Sequence, residues 1–566
     1  MPVLTRAAIL PEREGQDDPR RLSWRERTGI AVLLALYACG IVQAAWVGGD
    51  PYYNNDESRH LLTGAFWCDF FTELPYDDPV GFAKRYYAQY PNLGLFVSPP
   101  LFHVLEGGVF RLFGVSMSSA KMLMSACCAV FLVGWWFWVR AWVGAAAATW
   151  STLLVPLVHD VFELSGHAML EVPTLAWMIV TLWMFRRYLN GQRAGWLWGA
   201  CGCAAAAALT RYHAPIVLGP LAVQLAVSKQ WHLLRRWKFW LPVFVAGGLS
   251  AAYYVWTLEY YHTWHSLLAG GGAPTVGSLV HQTLKSLGSI PAWIAAIGAA
   301  SVVILPLLRR KLPLAPLAWI AATGLMWVGI SYRPTRFLVY AWPAAVTLGI
   351  YTLFMVADRC RVRCLGHVAA ALALLATAQG LYATHQPGLR GYDEAAARAM
   401  AASETGRIFI HGRQDGAFIW HVRRRDPGLT YAVLRASKVL SSGEPDAMND
   451  FHVLAESDAQ ILARLDALGV DVVVSEDLPE VDIRPYQRLM KLLDSDRFDP
   501  IGEIPIRNHQ GRIYARRLKL YRFQRRAPVS DGVAIPLTAL GPEFELRVDL
   551  SRPLRGWRRH RRAGEM

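Results

Sequence analysis

The chain reads as a polytopic α-helical membrane protein of about 11 transmembrane helices, followed by a C-terminal soluble α/β domain. Three observations carry that reading. Apolar residues make up 54% of the 566 and charged residues 18%, where soluble domains run about 45–50% and about 25%. The first 385 residues contain a series of apolar runs of bilayer-spanning length, and the basic residues gather at alternate ends of those runs. The net charge of +15 would suit a nucleic-acid binder if it were clustered on one soluble face. Here 29 of the 58 basic residues, against only 18 acids, lie within 1–385 among apolar runs. That arrangement excludes nucleic acid as a partner, and the composition excludes a disordered chain and a small disulfide-stapled fold.

The expected spans are 28–47, 118–139, 144–160, 172–189, 194–210, 212–227, 239–257, 291–308, 313–331, 335–356 and 365–384. Basic clusters between them are the N-terminal tail 1–27 (Arg6, Arg13, Arg20, Arg21, Arg25, Arg27), Arg140, Arg186/Arg187/Arg193, Lys229/Arg235/Arg236/Lys238, Arg309/Arg310/Lys311 and Arg359/Arg361/Arg363. These are 20 of the 29 basic residues in this half and all fall on one side, which the positive-inside rule makes cytoplasmic. The stretch Pro99–Gly114 is apolar enough to pass for a span, but counting it would turn every later basic loop outward. It also carries Glu106 and Arg111, each costing roughly 2.5–3.5 kcal/mol at the bilayer centre. It is therefore expected as an amphipathic helix on the outer surface. The first outer loop is then 48–117, the transmembrane domain 28–385, and the segment 386–566 extracytoplasmic. The charged N-terminal region is too long for a cleaved signal, so the first helix is expected to stay uncleaved.

Of the eight cysteines only Cys68 falls outside, so no disulfide framework is expected. Trp135, Trp136, Trp138 and Trp142 sit near a span end and read as interfacial anchors. In 386–566 the texture changes to alternating strand and helix patterns: strands at 407–412 and 429–436, a helix–strand unit at 459–476, a helix at 484–495, and strands at 499–507 and 512–524. The arginine-rich tail 552–562 is either a solvated end or a contact for anionic lipid headgroups.

Acids are scarce in the membrane half. Between Gly107 and Ala357 there are only Asp160, Glu163, Glu171 and Glu259, and ionisable groups at membrane depth mark function by default. Asp56 and Glu57 stand about ten residues past the first span. His159, Glu163, His167 and Glu171 recur every four residues, so one helix would place them on a shared face that could ligate a divalent cation. Gly166 and Pro173 weigh against a single helix, and wetting of a loop would also account for the pattern. His262 and His265 beside Glu259 form a weaker pair. Arg211, Arg333 and Arg336 stand at outer ends of spans, where a guanidinium fork suits phosphate oxygens; snorkelling to headgroups is the other explanation.

Five segments occur together in a telling order: DESRH (56–60), SPPLFHVLEG (98–107), SGHAMLEVPTLAW (165–177), LTRYHAP (209–215) and RFLVYAWP (336–343). With them the chain, over roughly 28–385, resembles the GT-C glycosyltransferases of the protein-O-mannosyltransferase and lipid A aminoarabinose transferase type (family 39). The resemblance implies a GT-C-like fold in a bacterial inner membrane, N-terminus cytoplasmic and C-terminal domain periplasmic. It implies an enzyme that takes a sugar from a polyprenyl-phosphate donor and passes it, with inversion, to a lipid, polysaccharide or protein hydroxyl on the extracytoplasmic face. Asp56 then matches the catalytic acid of the first outer loop, expected as the base, and Glu171 the second-loop acid, expected as a second catalytic acid that positions acceptor or metal. Arg211 falls where the aminoarabinose transferase has a phosphate-contacting lysine, and Arg336 matches a late basic residue. Arg333, Glu57, His103 and His167 complete the implied donor- and substrate-binding set. Ser98 replaces another lysine, which removes a cation and argues against aminoarabinose as the sugar. No cofactor is required, and a divalent cation is permitted.

The chemistry agrees. A sugar C1 joined to phosphate already has a good leaving group; what remains is a carboxylate base for the acceptor hydroxyl and cations for the departing phosphate. A transporter or lipid flippase with an outer domain is the alternative, but it should carry polar or broken segments at mid-depth. Here the charges sit at the outer rim. A membrane-anchored binding domain would not need acids and arginines matched on separate loops.

Overall fold

In the computed structural model, the described residues are 22–46, 49–51, 55–95, 97–260, 283–284, 287–329, 335–384, 388–442, 452–477, 483–507, 516–526, 532–536, 545–549 and 554–555. Arg333, His262, His265, the side chain of Glu259, residues 1–21 and most of the 552–562 tail lie outside them. The chain divides into two compact units. One draws on the residues up to Ala45, Lys121–Trp256 and Leu267–His385; the other on Trp46–Ala120, Thr257–Ser266 and the chain from Gln386 onward. The first outer loop therefore packs with the C-terminal segment, whereas the sequence division at 385 keeps it with the spans.

The first unit is helical, and a helix occupies each of the eleven apolar runs. By length and apolarity, five helices among the described residues can cross a bilayer, or six if the bent pair His159–Gly166 and Glu171–Gly191 is one broken span. Ala194–Ala208, Ala214–Val227 and Leu314–Gly329 are apolar but shorter. One of the five, Met117–Leu157, is two helices in practice. Gly144 has φ 82° and ψ 169° in its midst, and Trp136 Nε1 donates to Thr149 Oγ1 at 3.0 Å. Thirteen residues of straight helix would separate these side chains by roughly 20 Å, so the chain folds back at Gly144. Only glycine takes that dihedral pair without strain.

Small residues let the helices approach. Gly298 of Ser289–Leu307 meets Ala345 and Gly349 of Trp342–Arg359, and a Cβ on Gly298 would stand 3.0 Å from the Gly349 amide nitrogen. Such close backbone contact is the usual basis of helix association in lipid, where apolar burial gives no net drive. Trp135 and Trp138, read above as interfacial anchors, are instead fully buried. They share a helix face and pack on Trp319, with ring centroids at 5.5 and 5.9 Å. Spacing of three along a helix set that face, and the facing helix supplied a third ring.

In the second unit, the 48–117 loop forms three helices: Asp56–Glu73, Pro79–Gln89 and Leu101–Phe113. The last matches the amphipathic segment expected at 99–114, and at 13 residues it is about 20 Å long, too short to span. Its inner face packs against Asp56–Glu73, where Gly107 leaves room for Trp67. The C-terminal segment builds a five-stranded sheet from β1 (Arg407–His411), β2 (Ala432–Arg435), β3 (Val472–Glu476), β4 (Phe498–Pro505) and β5 (Arg517–Phe523). Their spatial order is β2-β1-β3-β5-β4, parallel across β2-β1-β3 and antiparallel beyond. Ile408–Ile410 and Val472–Val474 are wholly buried, as continuous apolar strands covered on both faces must be. The helix Asp458–Ala467 starts with a capping box, Ser457 to the Gln460 amide and Gln460 back, worth about 1 kcal/mol. A hairpin, Gly532–Pro536 with Glu545–Asp549, is an element the sequence reading had not marked.

Candidate active site

Three chain segments of the first unit bring one carboxylate and two guanidiniums together. Glu171 opens the helix Glu171–Gly191, where the unpaired amides of the first turn favour negative charge. Arg211 sits in the turn after Ala194–Ala208, its amide donating to Ala207 O at 2.9 Å. Arg336 lies in the short 3-10 helix Thr335–Tyr340. Glu171 Oε1 is 3.0 Å from an Arg211 terminal nitrogen and 3.9 Å from Arg336 Nε, and the Glu171 side chain is 0% exposed. Among the described residues neither carboxylate oxygen has an aligned hydrogen-bond donor, so the contact is an ion pair with lone pairs in reserve.

Aromatic rings wall this group. Phe337 lies 5.2 Å from the Arg211 guanidinium carbon and 5.6 Å from that of Arg336; Tyr212 covers Arg211 at 5.7 Å. His213 stacks on Tyr340 with centroids 5.0 Å apart, and Arg211 Nε donates to His213 Nδ1 at 3.4 Å. His213 Nε2 is buried with no hydrogen-bond partner among the described residues, a costly state that a polar ligand would relieve. Two cations against one anion leave the group positive, and cation–ring contacts hold the arginines in place. His213, Tyr340 and Phe337 lie inside the LTRYHAP and RFLVYAWP segments but were not singled out in the sequence, because apolar neighbours made them look like ordinary span residues.

The four-residue spacing of His159, Glu163, His167 and Glu171 does not make one face. The helix His159–Gly166 ends with His167 in extended conformation as its C-cap, and the next helix departs at 105°. Glu171 joins the arginines, while His159 and Glu163 gather with Asp160: one ligand atom from each falls within 4.8 Å, and His159 Nε2 is 3.6 Å from Glu163 Oε2. That trio could hold a divalent cation; His167 and Glu171 are not part of it. Gly166 is where the chain must be bare, since a Cβ there would stand 2.7 Å from Ala45.

Asp56 and Glu57 belong to the second unit. Asp56 is the first residue of its helix and pairs with Arg59 at 2.9 Å, its side chain 18% exposed. Glu57 and His103, both expected to bind substrate, are buried. Glu57 is close enough to Glu106 of the helix Leu101–Phe113 to act on its charge. His103 is wholly buried, and its Nε2 lies 2.9 Å from His60 Nδ1. Burial pulls His103 down to about 4, so it is neutral at ordinary pH. It also pushes Glu106 well above the carboxylate range, with Glu57 adding repulsion. The i, i+3 spacing in Glu57/His60 and His103/Glu106 puts these four polar residues where the two helices meet.

Comparison with known proteins follows the same lines. Residues 97–256 match the family described as dolichyl-phosphate-mannose-protein mannosyltransferase. Among solved structures, ArnT from Cupriavidus metallidurans bound to undecaprenyl phosphate superposes with a TM-score of 0.57 at 14% identity, covering 88% of this chain and 98% of that one. Its apo state gives 0.56 at the same identity and coverage. The oligosaccharyltransferase of Archaeoglobus fulgidus in its apo form gives 0.50 at 13% identity, over 88% of this chain and 77% of that one. No curated protein sequence matches. At such identities the likeness is one of fold.

Proposed function

We propose a reaction for a chain that is GT-C in fold and similar to glycosyltransferase family 39: transfer of a sugar from a polyprenyl-phosphate carrier to an acceptor hydroxyl on the extracytoplasmic face. The carrying observation is the buried group of Glu171, Arg211 and Arg336. Its net positive charge, aromatic walls and unpartnered His213 Nε2 suit a phosphate whose lipid tail lies in the bilayer. The ArnT neighbour is bound to undecaprenyl phosphate, which supports a carrier of that class.

In this reading Asp56 is the general base. The acceptor oxygen attacks C1 from the face opposite the phosphate while its proton passes to the Asp56 carboxylate. The C1–O bond to phosphate breaks in the same step, so the configuration inverts and polyprenyl phosphate leaves. Arg211 and Arg336 stabilise the charge that grows on the leaving phosphate; Glu171 holds both arginines in register. The chemistry runs on these side chains without a required metal, and the N-terminus is cytoplasmic with residues 386–566 outside. The acceptor is a lipid, polysaccharide or protein hydroxyl.

The test is mass spectrometry of envelope glycans and polyprenyl-linked sugars with and without the protein. Loss of the protein should leave one lipid-linked sugar in excess and one product under-glycosylated. Unchanged pools of both would overturn the reading.

A further inference from the structure

The C-terminal α/β domain carries at its sheet the feature that most such domains use to bind a ligand. In the order β2-β1-β3-β5-β4, the chain leaves β1 toward β2 and leaves β3 toward the opposite side of the sheet, and the crevice at the carboxyl ends of two such strands is the usual binding place. Here the turn after β1, residues 412–414, and the start of the helix Asp415–Arg425 are met by the chain's own first outer loop. Asn55 Nδ2 donates to Arg413 O at 2.6 Å. Asn92 Nδ2 donates to Ser58 Oγ at 3.0 Å, and Ser58 Oγ to Asn55 O at 3.0 Å. Gly416 lies under all three side chains; a Cβ there would run into Ser58 Oγ, Asn92 Nδ2 and Asn55 Oδ1.

The turn is fixed from its other side as well. Glu476, at the end of β3, accepts from the Arg413 and Gln414 amides at 3.0 Å each and from the Tyr392 hydroxyl at 2.6 Å. Asp415 pairs with Arg435 at 2.7 Å, and Arg435 also donates to Pro91 O at 3.0 Å. The fixed turn at the carboxyl end of β1 thus meets the chain one residue before Asp56. Asn55 holds a left-handed conformation, φ 62° and ψ −4°, which asparagine tolerates better than most residues.

We propose that the α/β domain is a positioning module: the bond from the Asn55 amide to the Arg413 carbonyl sets the start of the Asp56–Glu73 helix, and with it the direction of the Asp56 carboxylate. The inference rests on Asp56 being the base. Asn55, Gly416 and Glu476 are positioning residues; none needs to touch substrate. A displacement of the order of 1 Å at a reacting group costs up to about a hundredfold in rate, so the loss expected on releasing the latch is roughly tenfold to a hundredfold.

The test uses the full chain in lipid nanodiscs and three variants. Asn55→Gly keeps the left-handed backbone without the amide, and Gly416→Ala pries at the same seat from the domain side. Both should lose sugar transfer about tenfold or more, as restoration of the glycan product in cells lacking the protein. Affinity for undecaprenyl phosphate should not change, and hydrogen exchange should quicken across 56–60 with β1 and β3 still protected. Full transfer by Asn55→Gly overturns the proposal, as does loss of carrier affinity in parallel or quickened exchange throughout the domain. Asp56→Asn separates the premise: if it transfers sugar undiminished, Asp56 is not the base, whatever the latch variants do.

Discussion

Glu171 Oε1 lies 3.0 Å from an Arg211 terminal nitrogen, with both side chains removed from solvent. Burying a pair in this way is rarely the most stable arrangement, since an apolar replacement often does as well. Breaking it from one side is expensive, about 3–5 kcal/mol in a fully buried case, and Arg336 at 3.9 Å softens that cost here. Arg211→Ala is expected to weaken binding of undecaprenyl phosphate by tenfold or more while the full chain still folds. Arg211→Lys keeps the charge but loses the planar fork, so an intermediate affinity is expected. Unchanged affinity in Arg211→Ala, measured with the labelled carrier, would reduce the pair to a structural contact.

Asp56 stands at the first turn of its helix and is partly exposed. Asp56→Asn preserves its size and should leave yield, melting temperature and carrier affinity unchanged. Transfer is expected to fall by a factor of roughly 10²–10⁴, the usual contribution of a general base. Purified mutant protein that still transfers sugar at the wild-type rate would remove Asp56 from the chemistry.

Glu476 gives a pH dependence with a definite sign. Burial pushes it from 4.5 up to about 7, against the hydrogen bonds from Tyr392, Gln414 and Arg413 that favour the anion. Below pH 4.5 the folded and unfolded chains both hold the proton, and stability is unaffected. Between 4.5 and about 7 the unfolded chain has released it while the folded one keeps it, so stability falls as pH rises. Above 7 the loss levels off, at most on the order of 3 kcal/mol. Glu476→Gln should flatten this part of the profile. Thermal melts of wild type and variant across the range check it, and identical slopes would count against the assignment.

The sequence made the helices, the α/β domain and the pairing of acids with arginines readable, because hydropathy period and charge placement are local signals. Glu171, Arg211 and Arg336 come together as their motifs imply. The shared face of His159, Glu163, His167 and Glu171 was not real, because spacing by four means nothing once a helix stops at Gly166. The pairing of His103 with His60 inside the first outer loop was not legible, because the two stand 43 residues apart. Asn55 carried no signal at all. Its partner is Arg413, more than three hundred residues away, and a single sequence does not record contacts of that range.

The trio His159, Asp160 and Glu163 allows a direct check on metal use. Its helix N-terminus disfavours a cation, while phosphate charge is already met by arginines. Transfer is therefore expected to survive EDTA, and His159→Ala to behave as wild type. Activity lost on chelation and restored by magnesium or manganese would assign the trio a role in the reaction.

The fold-back at Gly144 leaves no loop between two helices, and so no slack to absorb a change in length. One inserted residue would rotate the second helix by about 100° against the first. Thr149 would swing off Trp136, Trp150 off the His367 ring nitrogen it meets at 2.9 Å, and the Leu153 carbonyl off the Tyr37 hydroxyl at 2.7 Å. Three separate neighbours are thus phased by one glycine. Elsewhere a tag or epitope can be spliced between spans; at this point the chain is indexed, and an added residue would be felt along the whole helix.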